Sequence, residues 1–340
     1  MMKVMRERRF LVALGMVSAI VMGSASKSSA FIGDDGFSHT QPGAELVMPF
    51  DATEGKGTFL LVSNIHGTSS VGGAQVSTHW TFWNETCDEL ADFSICLTLN
   101  DTVVVDPTKA RALGAGNEEL GPLINLTGKR GLVTVTAYET NEACADFSHT
   151  GAVLADDAIV GTFTFADTEV GYSFGNDAFG LGLNDAGTAV VLPPSEIVDS
   201  YNIEVFDPTS VESSVVILSH LSEQGVGQVE PKAAPIRFAT TFYDTLEIPT
   251  SLPDQNATCV RFTQVASTDT IKGLIPENVT VTTSGVIRLH PLSGFGPNDY
   301  LYSIVGQAVG PYGASTSAKV KLGEPSASRA FVDAPTSLLD

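Results

Sequence analysis

The side chains most able to do chemistry cluster around two cysteines. Glu85, Asp88, Glu89 and Asp92 surround Cys87, and Glu139, Glu142 and Asp146 surround Cys144. The two contexts read alike, Asn84-Glu85-Thr86-Cys87 and Asn141-Glu142-Ala143-Cys144, and each follows a segment ending in an aromatic, Trp83 or Tyr138. Four cysteines allow three fully paired connectivities. The expectation is a Cys87–Cys144 disulfide stapling two loops, with Cys87–Cys96 as the rival. The first would close a loop of about 58 residues, a constraint of roughly 4 kcal/mol on the chain-entropy relation. It would also crowd the seven carboxylates, which repel one another unless a cation or water screens them. Calcium, with six to eight oxygen ligands, is the cofactor such a cluster would take. The ordinary reading is a hydrated acidic surface that favours solubility.

Other constellations are weaker. Residues 175–187, Gly175-Asn176-Asp177 through Asn184-Asp185-Ala186-Gly187, read as a second oxygen-rich loop. Trp83 and Tyr243 fall at matching strand ends, where an aromatic could stack on a sugar ring; a cross-strand packing role is the plainer reading. The six histidines, at positions 39, 66, 79, 149, 220 and 290, show no zinc spacing. His79 reads as a surface histidine. The sequence has no nucleophile elbow, P-loop or dinucleotide fingerprint. No catalytic constellation is therefore assigned, although acids near Asp88, Asp92 and Glu139 could supply a glycosidase pair.

These residues must be positioned by strands. Residues 58–65, 76–83, 94–99, 132–138 and 159–165 are short runs rich in Val, Ile, Thr and aromatics, separated by Gly, Asn, Asp and Pro. Residues 109–120 are the one candidate helix, and residues 88–92 a single helical turn. In 76–83 the alternation puts Val76, Thr78, Trp80 and Phe82 on a core face, with Ser77, His79, Thr81 and Trp83 opposite.

The second half repeats this order. Residues 59–65 match 215–221, 80–83 match 240–243, and 131–135 match 285–289. Cys96 to Leu99 match Cys259 to Phe262, 101–103 match 269–271, and 159–161 match 304–306. The fold expected is all-β, with two tandem related β-sandwich domains after a cleaved N-terminal signal peptide. On the Cys96–Cys259 match, Cys259 has no partner in its own half.

The domain boundaries follow. Residues 1–30 read as a secretory signal peptide: a basic start (Lys3, Arg6, Arg8, Arg9), an apolar stretch from Phe10 to Gly23, and small residues at Ser28 and Ala30. Residues 31–200 hold the first sandwich domain with its acidic loops and linker, 201–323 the second, and 324–340 a C-terminal tail. No segment reaches 18 consecutive apolar residues, so no integral membrane segment is expected. The chain has 18 Lys plus Arg against 39 Asp plus Glu, net −21. Cleavage removes five bases and one acid, leaving −25, of which −19 lies in residues 31–199. Such a charge excludes nucleic acid as a partner, because phosphate binding needs clustered Lys and Arg.

Together these features suggest an exported, non-catalytic β-sandwich protein of the periplasm, cell surface or extracellular space. Its expected role is structural, adhesive or ligand-binding, with a glycan or a surface protein as partner. The alternatives are an extracellular carbohydrate-active hydrolase using paired carboxylates, and a self-assembling surface-layer or filament subunit.

Overall fold

A computed structural model describes residues 42–65, 75–109, 112–114, 119–120, 124–139, 154, 158–167, 172–183, 189–190, 201–205, 214–219, 221–224, 228–231, 236–263, 274–276, 285–293, 300–309 and 312–321. All of them fall within one compact unit, residues 39–340. The described residues are all-β, and the strands assemble into antiparallel sheets.

The first twelve strands are β1 (Glu45–Asp51), β2 (Lys56–Asn64), β3 (Val76–Asn84), β4 (Glu89–Leu97), β5 (Thr102–Val105), β6 (Ala112–Gly114), β7 (Glu119–Leu120), β8 (Arg130–Glu139), β9 (Ile159–Asp167), β10 (Tyr172–Asp177), β11 (Phe179–Leu183) and β12 (Ala189–Val190). They form two six-stranded sheets, β12-β11-β1-β8-β3-β4 and β10-β9-β2-β5-β6-β7. The remaining strands are β13 (Tyr201–Val205), β14 (Ser214–Ser219), β15 (Leu221–Gln224), β16 (Gln228–Pro231), β17 (Ile236–Asp244), β18 (Pro249–Ala257), β19 (Val260–Thr263), β20 (Gly285–Ser293), β21 (Tyr300–Val309) and β22 (Tyr312–Lys321). Their sheets are β13-β20-β17-β18, β19-β14-β21-β22 and the ribbon β15-β16. Among the described residues, no sheet mixes strands from before β13 with strands after it.

The core follows from the period-two pattern. Val76, Trp80 and Phe82 of β3 are fully buried, and so are Leu60 and Val62 of β2, Val133 and Val135 of β8, and Phe163 of β9. They join one hydrophobic cluster between the two six-stranded sheets. Aromatic rings fill its centre: Trp80 stacks on Phe93 with centroids 6.1 Å apart, and Phe50 meets Phe82 edge-on at 5.2 Å. The one hydroxyl in the inward row of β3 is satisfied, because Thr78 Oγ1 donates to the Ile95 carbonyl (2.8 Å) and accepts from Trp80 Nε1 (3.0 Å).

Several local expectations are corrected here. The described residues of 109–120 do not form the expected helix: β6 and β7 extend the meander from β5, and the sequence carries Gly114 and Gly116, which disfavour a helical run. The expected turn at 88–92 is the start of β4. The oxygen-rich stretch from Gly175 is largely strand, with Asp177 at the end of β10 and β11 beginning at Phe179. Residues 184–188 lie outside the described residues.

Cys96 and Cys259 are not equivalent positions. Cys96 lies inside β4, opposite Ser77 of β3, whereas Cys259 lies outside any strand, immediately before β19. Both sequence matches that placed residues 96–99 and 101–103 must therefore shift. The match of 159–161 to 304–306 also slips, since Val62 pairs with Gly161 but Leu218 pairs with Tyr302. A period of two lets such slips pass unnoticed in sequence.

Candidate functional site: the hairpin that joins the two halves

The β3–β4 hairpin turns through Asn84, Glu85, Thr86, Cys87 and Asp88. Asn84 organises it. Its Oδ1 accepts from the backbone N–H groups of Thr86 (2.8 Å) and Asp88 (2.9 Å), an Asx turn extended by one further bond. Its Nδ2 donates to Asp88 Oδ2 (3.0 Å), and the Thr86 hydroxyl lies 2.8 Å from that same oxygen. These two bonds hold the Asp88 carboxyl below the usual carboxylate range. The backbone closes with Asn84 N–H donating to the Asp88 carbonyl and Cys87 N–H to the Asn84 carbonyl. Cys87 takes the left-handed conformation, φ 67°, which is uncommon for a residue with a Cβ.

That turn aims Cys87 at the second half of the chain. Cys87 is disulfide-bonded to Cys259, with Cα atoms 5.2 Å apart and a sequence separation of 172. The expected Cys87–Cys144 bridge is thereby corrected for Cys87, and so is its rival with Cys96, which is itself disulfide-bonded. The reason is geometric. Two hairpin ends of one sheet looked like natural partners in sequence, but the β3–β4 turn faces β19 rather than a loop of its own half.

The surroundings form a packed seam. Arg130 Nε donates to Glu85 Oε2 at 2.8 Å, and its guanidinium carbon sits 5.2 Å above the Phe262 ring. Phe262 also meets Phe165 edge-on, with centroids 6.5 Å apart. Cys259 and Val260 are buried and belong to the same hydrophobic cluster as the first-half core. Cys259 N–H points to the Glu85 carbonyl at 3.5 Å, a long and weak bond. Oxidised, with Cys259 buried and Cys87 half-buried, this cystine has no thiolate to offer as a nucleophile or metal ligand. Its chemistry is that of a covalent strap. Arg130, Phe165 and Phe262 carried no sequence signal beyond being ordinary strand residues.

The five of these seven acids that are described, Glu85, Asp88, Glu89, Asp92 and Glu139, do not converge. Asn84, at one end of β3, pairs with Gly131, whereas Glu139 pairs with Val76 at the other end. Eight strand positions separate the groups, roughly 27 Å at 3.4 Å per residue. Glu85, Asp88 and Glu89 share the hairpin end, Asp92 lies opposite Thr81 further along, and Glu85 is paired to Arg130. Glu142, Cys144 and Asp146 lie outside the described residues. Among the described residues no group of three or more His, Cys, Asp or Glu is placed to hold a metal ion. Asp92 and Glu139 are five positions apart along β3, roughly 17 Å, beyond the separation a glycosidase pair needs.

Trp83 and Tyr243 lie near the ends of β3 and β17, and each engages a diagonal neighbour on the adjacent strand. Trp83 Nε1 donates to Thr134 Oγ1 at 3.2 Å, while the Arg288 guanidinium lies 4.9 Å from the Tyr243 ring centre. One face of the Tyr243 ring holds this cation.

His79 is buried rather than on the surface, only 8% exposed, because β3 is covered on both faces. Its Nδ1 lies 3.2 Å from Ser94 Oγ, and Thr136 and Glu45 continue the same row across β8 and β1. His79 and Ser94 are both buried within the sheet, in a polar row where Glu45 Oε1 has no hydrogen-bond partner. Among the described residues no helix is long and apolar enough to cross a membrane. The class defined by these features is an all-β protein of antiparallel sheets with a covalent strap between its halves. No protein-family model matches the chain, and no curated protein matches it.

Proposed function

We propose that the chain is an exported, non-catalytic structural protein made of two tandem, duplicated β-sandwich units strapped together by Cys87–Cys259. The strap is the observation that carries the reading. A disulfide joining two independently paired sets of sheets stabilises their mutual position and does no chemistry. It also fits an oxidising compartment, in line with the signal-like residues 1–30.

The duplication is supported by topology. The orders β1-β8-β3-β4 and β10-β9-β2-β5 correspond to β13-β20-β17-β18 and β22-β21-β14-β19, with matching sequence order throughout. The β17–β18 hairpin repeats the β3–β4 turn in detail. Asp244 Oδ1 accepts from Leu246 and Ile248 N–H, Glu247 N–H donates to the Asp244 carbonyl, and Glu247 has φ 61° where Cys87 has 67°. Gly131, the second residue of β8, and Gly285, the first of β20, hold matching places, and a Cβ at either would overlap a carbonyl oxygen, of Trp83 or of Tyr243.

The test is a polysaccharide and glycoside hydrolysis screen run beside a glycan array on the purified protein. No turnover is expected. Hydrolysis abolished by Asp92→Asn or Glu139→Gln would overturn the reading in favour of an enzyme.

A further inference from the structure

The two equivalent hairpins have different fates. In the first half the tip is seated on the second half, through Cys87 on Cys259 and Glu85 beside it. In the second half the tip bears Leu246, 76% exposed, and Ile248, 56% exposed, the two most exposed large apolar side chains among the described residues. The seat that receives the first tip is the connection between β18 and β19. Its counterpart in the first half is the connection between β4 and β5, residues 98–101.

That counterpart carries exposed apolar side chains among polar ones. Leu99 is 45% exposed and Ile65 is 38% exposed. The two belong to one surface, because Asn64 Nδ2 donates to the Leu97 carbonyl, Asn64 N–H to the Asp101 carbonyl, and Asn100 N–H to the Asn64 carbonyl. It lies at the far end of β4 from the Asn84–Asp88 turn, roughly 27 Å away over nine residues. Each half thus has a hairpin tip at one end and a seat at the other. One tip and one seat are used inside the chain, and one of each is left over.

We infer that a second copy of this chain occupies them: the Leu246–Ile248 tip of one molecule docks on the Ile65–Leu99 seat of the next, repeating the internal seam between molecules. Tip and seat are different surfaces, so the contact is heterologous and propagates head to tail. Register across the pairs β2–β5 and β14–β19 makes Thr102 the counterpart of Cys259, and the turn makes Glu247 the counterpart of Cys87. The seam between molecules therefore has no disulfide. By the same equivalence Glu247 falls against Thr102, next to Asp101, so two like charges approach there and the contact is reversible and strengthens with salt, which screens them. This inference rests on the halves being repeated units, but not on the absence of catalysis.

The experiment uses the full secreted chain at low and high sodium chloride. Sedimentation velocity is expected to show mass rising with concentration and salt, and the rise to disappear in Leu246→Asp/Ile248→Asp and separately in Leu99→Asp. Far-UV circular dichroism checks that these surface variants fold; Ile65→Asp is the second seat variant if Leu99→Asp does not. In an equimolar mixture, Glu247→Cys and Thr102→Cys proteins should form a disulfide dimer under mild oxidant, while neither does so alone. A monomer at every concentration and salt would overturn the inference. So would Glu247→Cys dimerising as readily with itself, which means a symmetric contact. A hydrolytic activity in an assembling protein would sink the proposed function and leave this inference standing.

Discussion

Removing the strap is the most informative perturbation. With a sequence separation of 172, the chain-entropy relation gives about 5 kcal/mol of stabilisation for Cys87–Cys259. The contacts left at the seam are small beside it. The Arg130–Phe262 cation–π contact contributes about 1 kcal/mol and the Phe165–Phe262 edge contact about 1 kcal/mol. Without the strap these contacts, Val260 buried in the first-half core and the packing of β10 against β21 and β22 must hold the halves together, and the halves should then unfold at different urea concentrations. Both tryptophans, Trp80 and Trp83, lie in the first half, so their fluorescence reports that half alone while far-UV circular dichroism reports both. In urea the two probes should coincide for the parent. In Cys87→Ala/Cys259→Ala they should separate, with a lower midpoint for at least one. Cys259→Ala also opens a small void costing about 1 kcal/mol, so the loss must exceed that. Coincident transitions with a loss near 1 kcal/mol would mean that the strap contributes little to holding the halves together. Mass mapping of an unreduced digest supplies the covalent check: the Cys87 and Cys259 peptides should migrate as one.

Three further outcomes follow from the same geometry. Burial pushes the Asp177 carboxyl up to about 6 from 3.8, so the native state holds its proton more tightly than the unfolded chain does. Its favourable contribution is full below pH 3.8 and is lost as pH rises through about 6; Asp177→Asn should therefore melt higher than the parent at pH 7 and alike at pH 3.5. Gly131→Ala should destabilise by about 3 kcal/mol or prevent folding, since its Cβ meets the fixed Trp83 backbone, and Gly285→Ala should do the same at Tyr243; thermal melts measure both. Asn84→Ala removes the acceptor for Thr86 and Asp88 N–H and should cost about 1–2 kcal/mol in urea titration, whereas Asn84→Asp, the residue at position 244, should cost less.

What the sequence made legible was whatever period two encodes. The strands around Trp80, Leu60, Val133 and Phe163 lie where alternation put them, and the inward row of β3 is the core row. Alternation says which face is turned in, but not whether the other face is covered. His79 was therefore misread, because β3 and β8 are buried on both sides. Cysteine partners were illegible for a related reason. The similar settings of Cys87 and Cys144 are local features, while Cys87–Cys259 depends on how two halves pack, which leaves no local mark. Pairing register decided the acids: Glu139 and Glu85 flank strands that meet, but at opposite ends. The hairpin was the reverse case. Asn84 and Asp244 share a turn whose side chains otherwise have nothing in common at the next four positions, so only backbone geometry reveals the likeness.

The strap also changes how the molecule would bear a pull. Force applied on either side of residues 87 and 259 passes through the cystine, so the stretch between them carries no tension while the bond is intact. That stretch has a contour length of roughly 600 Å when fully extended. Stretched as a single molecule in oxidising buffer, the protein would lengthen only by what lies outside the bridge, and a reductant would release the hidden length in a separate step.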